Sequence, residues 1–191
     1  MKRDTSYHHG ELRVALLEVA LMSLDRDGSL PSWRALARAC GVSQTAPYRH
    51  FANHDALQAA LATACFERLT ASILAATGHA RAPRERLTAG LRAYLEFGRQ
   101  HPSWYALIFE RKPPSDAARS GAAAYDTLIA GVTACGVDDP PQVAFALWCA
   151  LHGLTALTAR GLTAPVAPAR DDAAIEAVIA MCLAHVEAHR K

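Results

Sequence analysis

The sequence predicts an all-α protein in which an N-terminal three-helix unit precedes a larger helical domain. Apolar residues recur at steps of three and four, no sustained apolar-polar alternation indicates a strand, and Gly and Pro fall between the periodic segments. With 191 residues, of which 51% are hydrophobic, the chain can bury a substantial core. We expect about nine helices, divided between domains at residues 1–54 and 55–191.

The N-terminal domain is predicted to contain three helices. The first is expected at about residues 10–27, with Leu12, Leu16 and Val19 along one stripe and Gly28 at its end. The other two form the segment 32–51, where two short helices joined by a turn constitute a helix-turn-helix.

Local signals place the two short helices. Ser32 can cap the first with its hydroxyl group, Gly41 can end it in the left-handed conformation, and Ser43 can cap the second. Pro47 lies at about the fourth position of the second helix, where it removes one backbone hydrogen bond. The exposed side chains of that helix are expected to be polar: Gln44, Thr45, Tyr48, Arg49 and His50.

Six further helices are predicted in the C-terminal domain. The first should begin near Asp55, which can cap it, and the last carries a continuous apolar stripe. Five of them are expected at about 55–76, 84–100, 115–135, 141–160 and 171–189. The sixth is a short helix with Pro102 in its first turn that ends before Pro113. The stripe on the last helix is formed by Ile175, Val178, Ile179, Cys182 and Val186.

Three N-terminal motifs resemble the tetracycline repressor (TetR) family. They are YHHGELR at residues 7–13, the GVS turn at 41–43 and YRHF at 48–51. The resemblance implies an all-helical homodimer whose N-terminal domain binds double-stranded operator DNA and whose C-terminal domain binds a small-molecule inducer. The segments HPSWYALIF and WCALHG, at 101–109 and 148–153, also resemble a subgroup with a Trp-His-Gly signature.

The polar second helix and the family resemblance together predict a DNA-binding surface. Gln44 and Thr45 are expected at base edges in the major groove, Tyr48 and His50 at phosphates, and Arg49 at either. Family members usually carry Lys at the position of His54, so a phosphate contact there is absent or depends on the charge of the imidazole. The full predicted set is Ser32, Arg34, Ser43, Gln44, Thr45, Tyr48, Arg49, His50 and His54.

Aromatic residues in the C-terminal domain predict a pocket for a small hydrophobic effector. Trp148 and His152 lie four residues apart, hence on one face of a helix, and the segment 104–109 adds aromatic surface. The alternative is that these side chains form ordinary core. The expected ligand-binding residues are Trp104, Tyr105, Phe109, Trp148 and His152.

Other classes of protein find little support in the sequence. The N-terminus lacks the apolar segment of a signal peptide and no apolar run approaches a membrane span, so we expect a cytoplasmic protein without a membrane partner. Five scattered cysteines without a CxxC pair argue against a disulfide framework or a zinc site. Cys149 and His152 have no acid or oxyanion partner nearby, so we expect neither catalysis nor a cofactor or metal.

The sequence therefore favours a transcriptional regulator that dimerises through the helices predicted at 141–160 and 171–189. Its expected function is repression, with release from a palindromic operator by a small hydrophobic ligand. Two alternatives remain: a thiol-based redox-sensing regulator, or an activator on the same fold.

Overall fold

The computed structural model describes residues 9–109, 115–162 and 171–191. These residues form eight α-helices and one short 3₁₀ helix, and the described ranges contain no strand. The elements in chain order are α1 (His9–Asp27), α2 (Trp33–Ala39), the 3₁₀ helix (Pro47–Arg49), α3 (His54–Thr77), α4 (Pro83–Gln100), α5 (Pro102–Phe109), α6 (Ser115–Ala134), α7 (Pro140–Ala159) and α8 (Asp171–Ala188).

The all-α fold class is confirmed, and every long helix begins and ends within one residue of its predicted position. The described residues contain nine helical elements, in agreement with the expectation of about nine helices, but the second helix of the helix-turn-helix is a turn followed by the 3₁₀ helix. Pro47 has no N–H group to bond to the carbonyl of Ser43. The backbone bonds instead run from Ala46 to Ser43 and from Arg49 to Ala46, the spacing of a 3₁₀ helix.

Capping residues explain where the N-terminal helices start and stop. The hydroxyl of Ser32 accepts a hydrogen bond from the Ala35 N–H at 3.2 Å, and Gly41 has a φ of 67°, as predicted. Ser43 does not cap a helix, since its hydroxyl lies 3.2 Å from that of Thr45. Asn53, rather than the predicted Asp55, caps α3 by accepting from the Ala56 N–H at 2.8 Å.

The chain divides inside α3 into two compact units, Met1–Ala62 and Thr63–Lys191. The domain boundary expected after residue 54 stays a prediction. In the first unit, α1 packs against α2, and α2 contacts the 3₁₀ helix. Fully buried leucines from α1, α2 and α3 form its core: Leu16, Leu21, Leu36, Leu57 and Leu61.

The second unit is built around α4 and α7. These two helices contact each other, and each also packs against α5, α6 and α8. The small residue Gly98 on α4 allows a close approach, because a Cβ atom there would lie 2.1 Å from Cγ2 of Thr155 on α7.

The predicted apolar stripe on α8 packs within its own chain. Ile175, Ile179, Cys182 and Val186 are buried, and Val178 is half-buried. Because α8 packs against α4 and α7, this stripe belongs to the core of the second unit, and dimerisation through the helices at 141–160 and 171–189 stays a prediction.

Two helices, α3 and α7, are long and apolar enough to cross a membrane by length and composition alone. Such helices are also typical of the cores of helical proteins, and α7 is the helix around which the second unit packs. Their presence is weak evidence for a membrane span.

Candidate functional site

Most of the predicted DNA-binding residues are exposed in the first unit. Ser32 and Arg34 lie at the start of α2, and His54 begins α3. His50 is half-buried, whereas the rest of the predicted set is exposed: Ser32, Arg34, Ser43, Gln44, Thr45, Tyr48, Arg49 and His54. The structure thus places nearly all of these side chains where they are accessible to a ligand.

A cluster of three tilted rings orders part of this surface. The ring of Trp33 lies 5.0 Å from that of Tyr48 and 4.8 Å from that of His54, so it links α2, the 3₁₀ helix and α3. Tyr48 remains 52% exposed despite this contact. The sequence reasoning did not assign Trp33 a role; its position beside a helix cap was the available signal.

The charge of the segment between α1 and α3 is favourable for an anion. Between Asp27 and Asp55 the chain contains no acidic residue, while Arg34, Arg38 and Arg49 lie exposed in this interval. Polyanions such as nucleic acids bind to surfaces with this charge distribution. Neutral donors and acceptors, including Gln44 and Thr45, stand among the cations.

A cavity of about 710 Å³ lies within the second unit, between α3, α4, α6 and α7. Its walls are predominantly apolar and aromatic, as is usual in small-molecule sites. Representative lining residues are Phe66, Leu69, Leu91, Phe109, Leu128 and Trp148. The sequence signal for the cavity was the run of small residues on α6, whose side chains leave the space between the helices unfilled.

Two of the five predicted ligand-binding residues, Phe109 and Trp148, line the cavity. Trp104 is instead buried, with its ring stacked at 3.9 Å on that of His101 and the guanidinium of Arg68 at 5.1 Å over it. Tyr105 is buried as well, and neither it nor His152 is among the cavity-lining residues.

Tyr105 and His152 belong to a hydrogen-bond chain behind the cavity wall. The hydroxyls of Tyr94 and Tyr105 are 3.0 Å apart, and that of Tyr105 lies 2.6 Å from Nδ1 of His152. Trp148 also hydrogen-bonds to Tyr94. Since the indole can only donate, a neutral His152 completes a chain of donations from Trp148 through Tyr94 and Tyr105 to Nδ1.

Burial controls the protonation of this chain. Burial raises the pKa of Tyr94 to about 12 and also raises the pKa of Tyr105, so both phenols stay neutral at physiological pH. Burial, with a smaller contribution from the charge of Arg160, lowers the pKa of His152. The neutral imidazole is therefore the favoured form, and its tautomer protonated at Nε2 accepts from Tyr105 at Nδ1.

The cysteines differ in exposure. Cys65 and Cys182 are buried, Cys40 and Cys135 are half-buried, and Cys149 is exposed. Burial raises the pKa of the Cys40, Cys135 and Cys182 thiols, which lowers the fraction of reactive thiolate.

Comparison with known proteins gives a family and a set of similar structures. The family model described as the tetracyclin repressor-like C-terminal domain matches residues 87–182. None of the curated proteins compared with the sequence is significantly similar to it.

Among solved structures, a protein of unknown function from Rhodococcus sp. RHA1 is 31% identical, with a TM-score of 0.81 over 98% of this chain and 100% of its own. A TetR-like transcriptional regulator from the same organism is 20% identical, with a TM-score of 0.65 over 95% and 96% of the two chains. A TetR-family regulator from Streptomyces coelicolor is 18% identical, with a TM-score of 0.71 over 95% and 97%.

An N-terminal helix-turn-helix unit and a separate helical unit with an apolar cavity define the class as a two-unit helical regulator. Within that class, the chain belongs to the tetracycline repressor (TetR) family of transcriptional regulators. The assignment to a Trp-His-Gly subgroup stays a prediction.

Proposed function

We propose that this protein is a homodimeric repressor of the cytoplasm that binds a palindromic operator and is released by a small hydrophobic ligand. The observation that carries the proposal is the segment 28–54, which contains no acidic residue and in which exposed polar side chains accompany the cations Arg34, Arg38 and Arg49. Repression rather than activation rests on the family resemblance. The proposal has no catalytic component.

Each partner of the proposed complex has a corresponding feature. The polar residues of the turn and 3₁₀ helix provide groups for base edges, and the arginines provide groups for phosphates. The cavity of the second unit provides a volume within the range of small-molecule sites. Exposed apolar side chains on α7 and α8 support dimerisation through these helices: Phe145, Leu157 and Met181.

Thiol-based sensing receives less support than ligand release. Three of the five thiols have a raised pKa, and Cys65 is buried. Cys149 is the exposed thiol.

Selection of bound sequences from random duplex DNA tests the proposal directly. We expect an enriched two-fold symmetric motif, with an affinity that falls steeply as salt rises because phosphate contacts release counterions. The absence of an enriched motif, together with undetectable binding to any duplex at low salt, would contradict DNA binding. Native labelling of thiols followed by a DNA-binding assay distinguishes the redox alternative, in which modification alone would change operator affinity.

A further inference from the structure

We propose that the cavity of the second unit binds an elongated apolar carboxylic acid of the fatty-acid class, with its carboxylate at Arg86. This inference deepens the proposed ligand-responsive function and rests on it for its regulatory meaning. It depends on the length of the cavity lining, on the hydrogen-bond donors of its wall and on the position of its cation.

The lining of the cavity extends along α3 and α6. On α3 it extends from Phe66 to Thr77, eleven residue steps that correspond to about 16 Å of helix at the usual rise. α6 approaches α3 at one point and α4 at another, because a Cβ atom at Gly121 would lie 3.0 Å from the ring of Phe66, and one at Gly131 would lie 3.5 Å from Leu87 on α4. An extended apolar molecule can contact the lining over this length of helix.

Most polar groups of the wall already donate their hydrogen bonds within the protein. The hydroxyls of Thr77 and Thr127 donate to the carbonyls of Leu74 and Ala123, at 3.0 and 3.1 Å. Trp148 and Tyr94 belong to the hydrogen-bond chain behind the wall. The hydroxyl of Tyr125 is 3.5 Å from the carbonyl of Pro141, a long bond that a ligand can displace.

Arg86 is the cation among the described lining residues, and these include no Asp or Glu. It is exposed on the second turn of α4, next to Leu87 at the Thr77 end of the cavity. Neighbouring charges are engaged elsewhere: Arg84 lies 3.7 Å from Glu187, and Glu85 accepts from the backbone N–H of Ala82 at 3.4 Å. In the described part of the chain, Arg86 has no ion pair.

These observations specify the polarity of the ligand. A donor-rich cation at one end and apolar aromatic walls at the other complement a single anionic acceptor joined to an apolar chain. The carboxylate would remain at the solvent-facing end, so its desolvation is small, while the chain extends toward Phe66, Phe109 and Trp148.

Direct binding of tetradecanoic acid, tetradecanol and butanoic acid, each below its micellar concentration, tests the proposal. Calorimetry, or the emission of tryptophan, since Trp148 lines the cavity, reports binding without DNA. We expect the long acid to bind more tightly than the alcohol of equal length, and the short acid to bind weakly. Arg86→Gln should reduce affinity for the long acid about tenfold and leave affinity for the alcohol unchanged.

Arg84→Gln is the matched control, because this arginine lies two residues away and pairs with Glu187 outside the cavity. It should leave the affinity for the acid unchanged. Equal binding of the acid and the alcohol, or an Arg86→Gln variant with unaltered affinity for the acid, overturns the proposal.

Failure of the proposed regulation would be visible separately. A selected operator duplex is titrated with and without tetradecanoic acid. If the acid binds through Arg86 but operator affinity does not change, the ligand assignment stands and release by this ligand is wrong. If operator binding is sound while the acid fails to bind, the ligand class is wrong and DNA recognition stands.

Discussion

At the scale of single residues, the polar groups of the helix-turn-helix differ in how they are held by their neighbours. The hydroxyls of Ser43 and Thr45 contact each other, while Gln44 points from the same exposed turn. Tyr48 packs against Trp33, with the two rings tilted, and keeps half of its surface exposed. A side chain held by a ring contact is suited to a phosphate at a constant position, and an exposed amide in the turn is suited to a base edge.

Substitution of these two residues should therefore affect DNA binding differently. Gln44→Ala should relax preference at particular base pairs, with a loss on the order of 1–3 kcal/mol for a bidentate contact. Tyr48→Phe keeps the ring contact and removes the hydroxyl, so it should weaken binding to all duplexes alike. Anisotropy titrations against a panel of single-base variants of the selected operator measure both effects. A uniform loss for Gln44→Ala would assign this residue to the DNA backbone instead.

His152 makes the stability of the second unit depend on pH. Burial lowers its pKa below the ordinary value of 6.5, so the unfolded chain binds the proton more readily than the folded one. The contribution of neutral His152 is therefore fully present above about pH 6.5 and is lost as the pH falls through the folded-state pKa. Protonation also removes the acceptor that Tyr105 uses.

His152→Asn tests this coupling, because an amide oxygen can replace Nδ1 as the acceptor and does not titrate. Urea unfolding at about pH 7.5 and about pH 5.5 should show a larger loss of stability for the original protein than for the variant. All other titrating groups are common to both proteins and cancel in the comparison. Equal pH dependence of the two proteins would mean that protonation of His152 is not coupled to folding.

At the scale of helices, close packing of α4 on α7 depends on one missing side chain. Gly98→Ala would gain about 0.4–1 kcal/mol from reduced flexibility of the unfolded chain. The new methyl group would, however, clash with Cγ2 of Thr155 at 2.1 Å and press on Tyr105 at 3.3 Å. We expect a net destabilisation of about 1–3 kcal/mol in urea unfolding.

A double-mutant cycle checks the cause of that destabilisation. Thr155→Ser removes the clashing methyl group and keeps the hydroxyl that bonds to the carbonyl of Leu151. The double variant should therefore lose less stability than the sum of the single variants. Gly131→Ala is the matched control in α6, where the nearest atom would lie 3.5 Å away, and it should be neutral or stabilising. Additive losses would exclude a clash with Thr155.

Helix positions were predictable from the sequence because their signals are local. Prolines, capping residues and glycines such as Gly28 and Gly41 act on the adjacent backbone. The predicted and observed bounds of the long helices therefore agree within one residue. The 3₁₀ helix was missed because the single missing N–H of Pro47 changes the bonding pattern of the whole short segment.

Only some of the cavity-lining residues were predictable from the sequence. The periodicity of apolar residues indicates which face of a helix is buried, but not whether that face meets a cavity or the packed core. Phe109 and Trp148 line the cavity, whereas Trp104 and Tyr105, from the same predicted set, are buried against His101, Arg68, Tyr94 and His152. The stripe on α8 shows the same limit: periodicity predicts the apolar face, and the structure adds that α8 packs with it buried against α4 and α7 of the same chain.

At the scale of the whole molecule, dimerisation must use surface that the fold leaves exposed. The buried stripe of α8 leaves the opposite side of this helix to solvent, where Met181 is 54% exposed. On α7, Phe145 and Leu157 are 55% and 49% exposed. A two-fold axis beside these helices would bury the apolar groups of both protomers and give two reading units for a symmetric site.

Met181→Glu should therefore shift the protein from dimer to monomer, because the interface would bury two carboxylates related by the two-fold axis. Sedimentation velocity over a range of concentrations measures the association, and circular dichroism verifies that the helices remain. Met22→Glu is the matched control, since Met22 is 67% exposed on α1, in the other unit, and its substitution should leave association unchanged. The monomeric variant should also lose operator affinity, because each half-site is then bound alone and the second contact is no longer intramolecular. A Met181→Glu dimer of unchanged affinity would move the interface away from this face of α8.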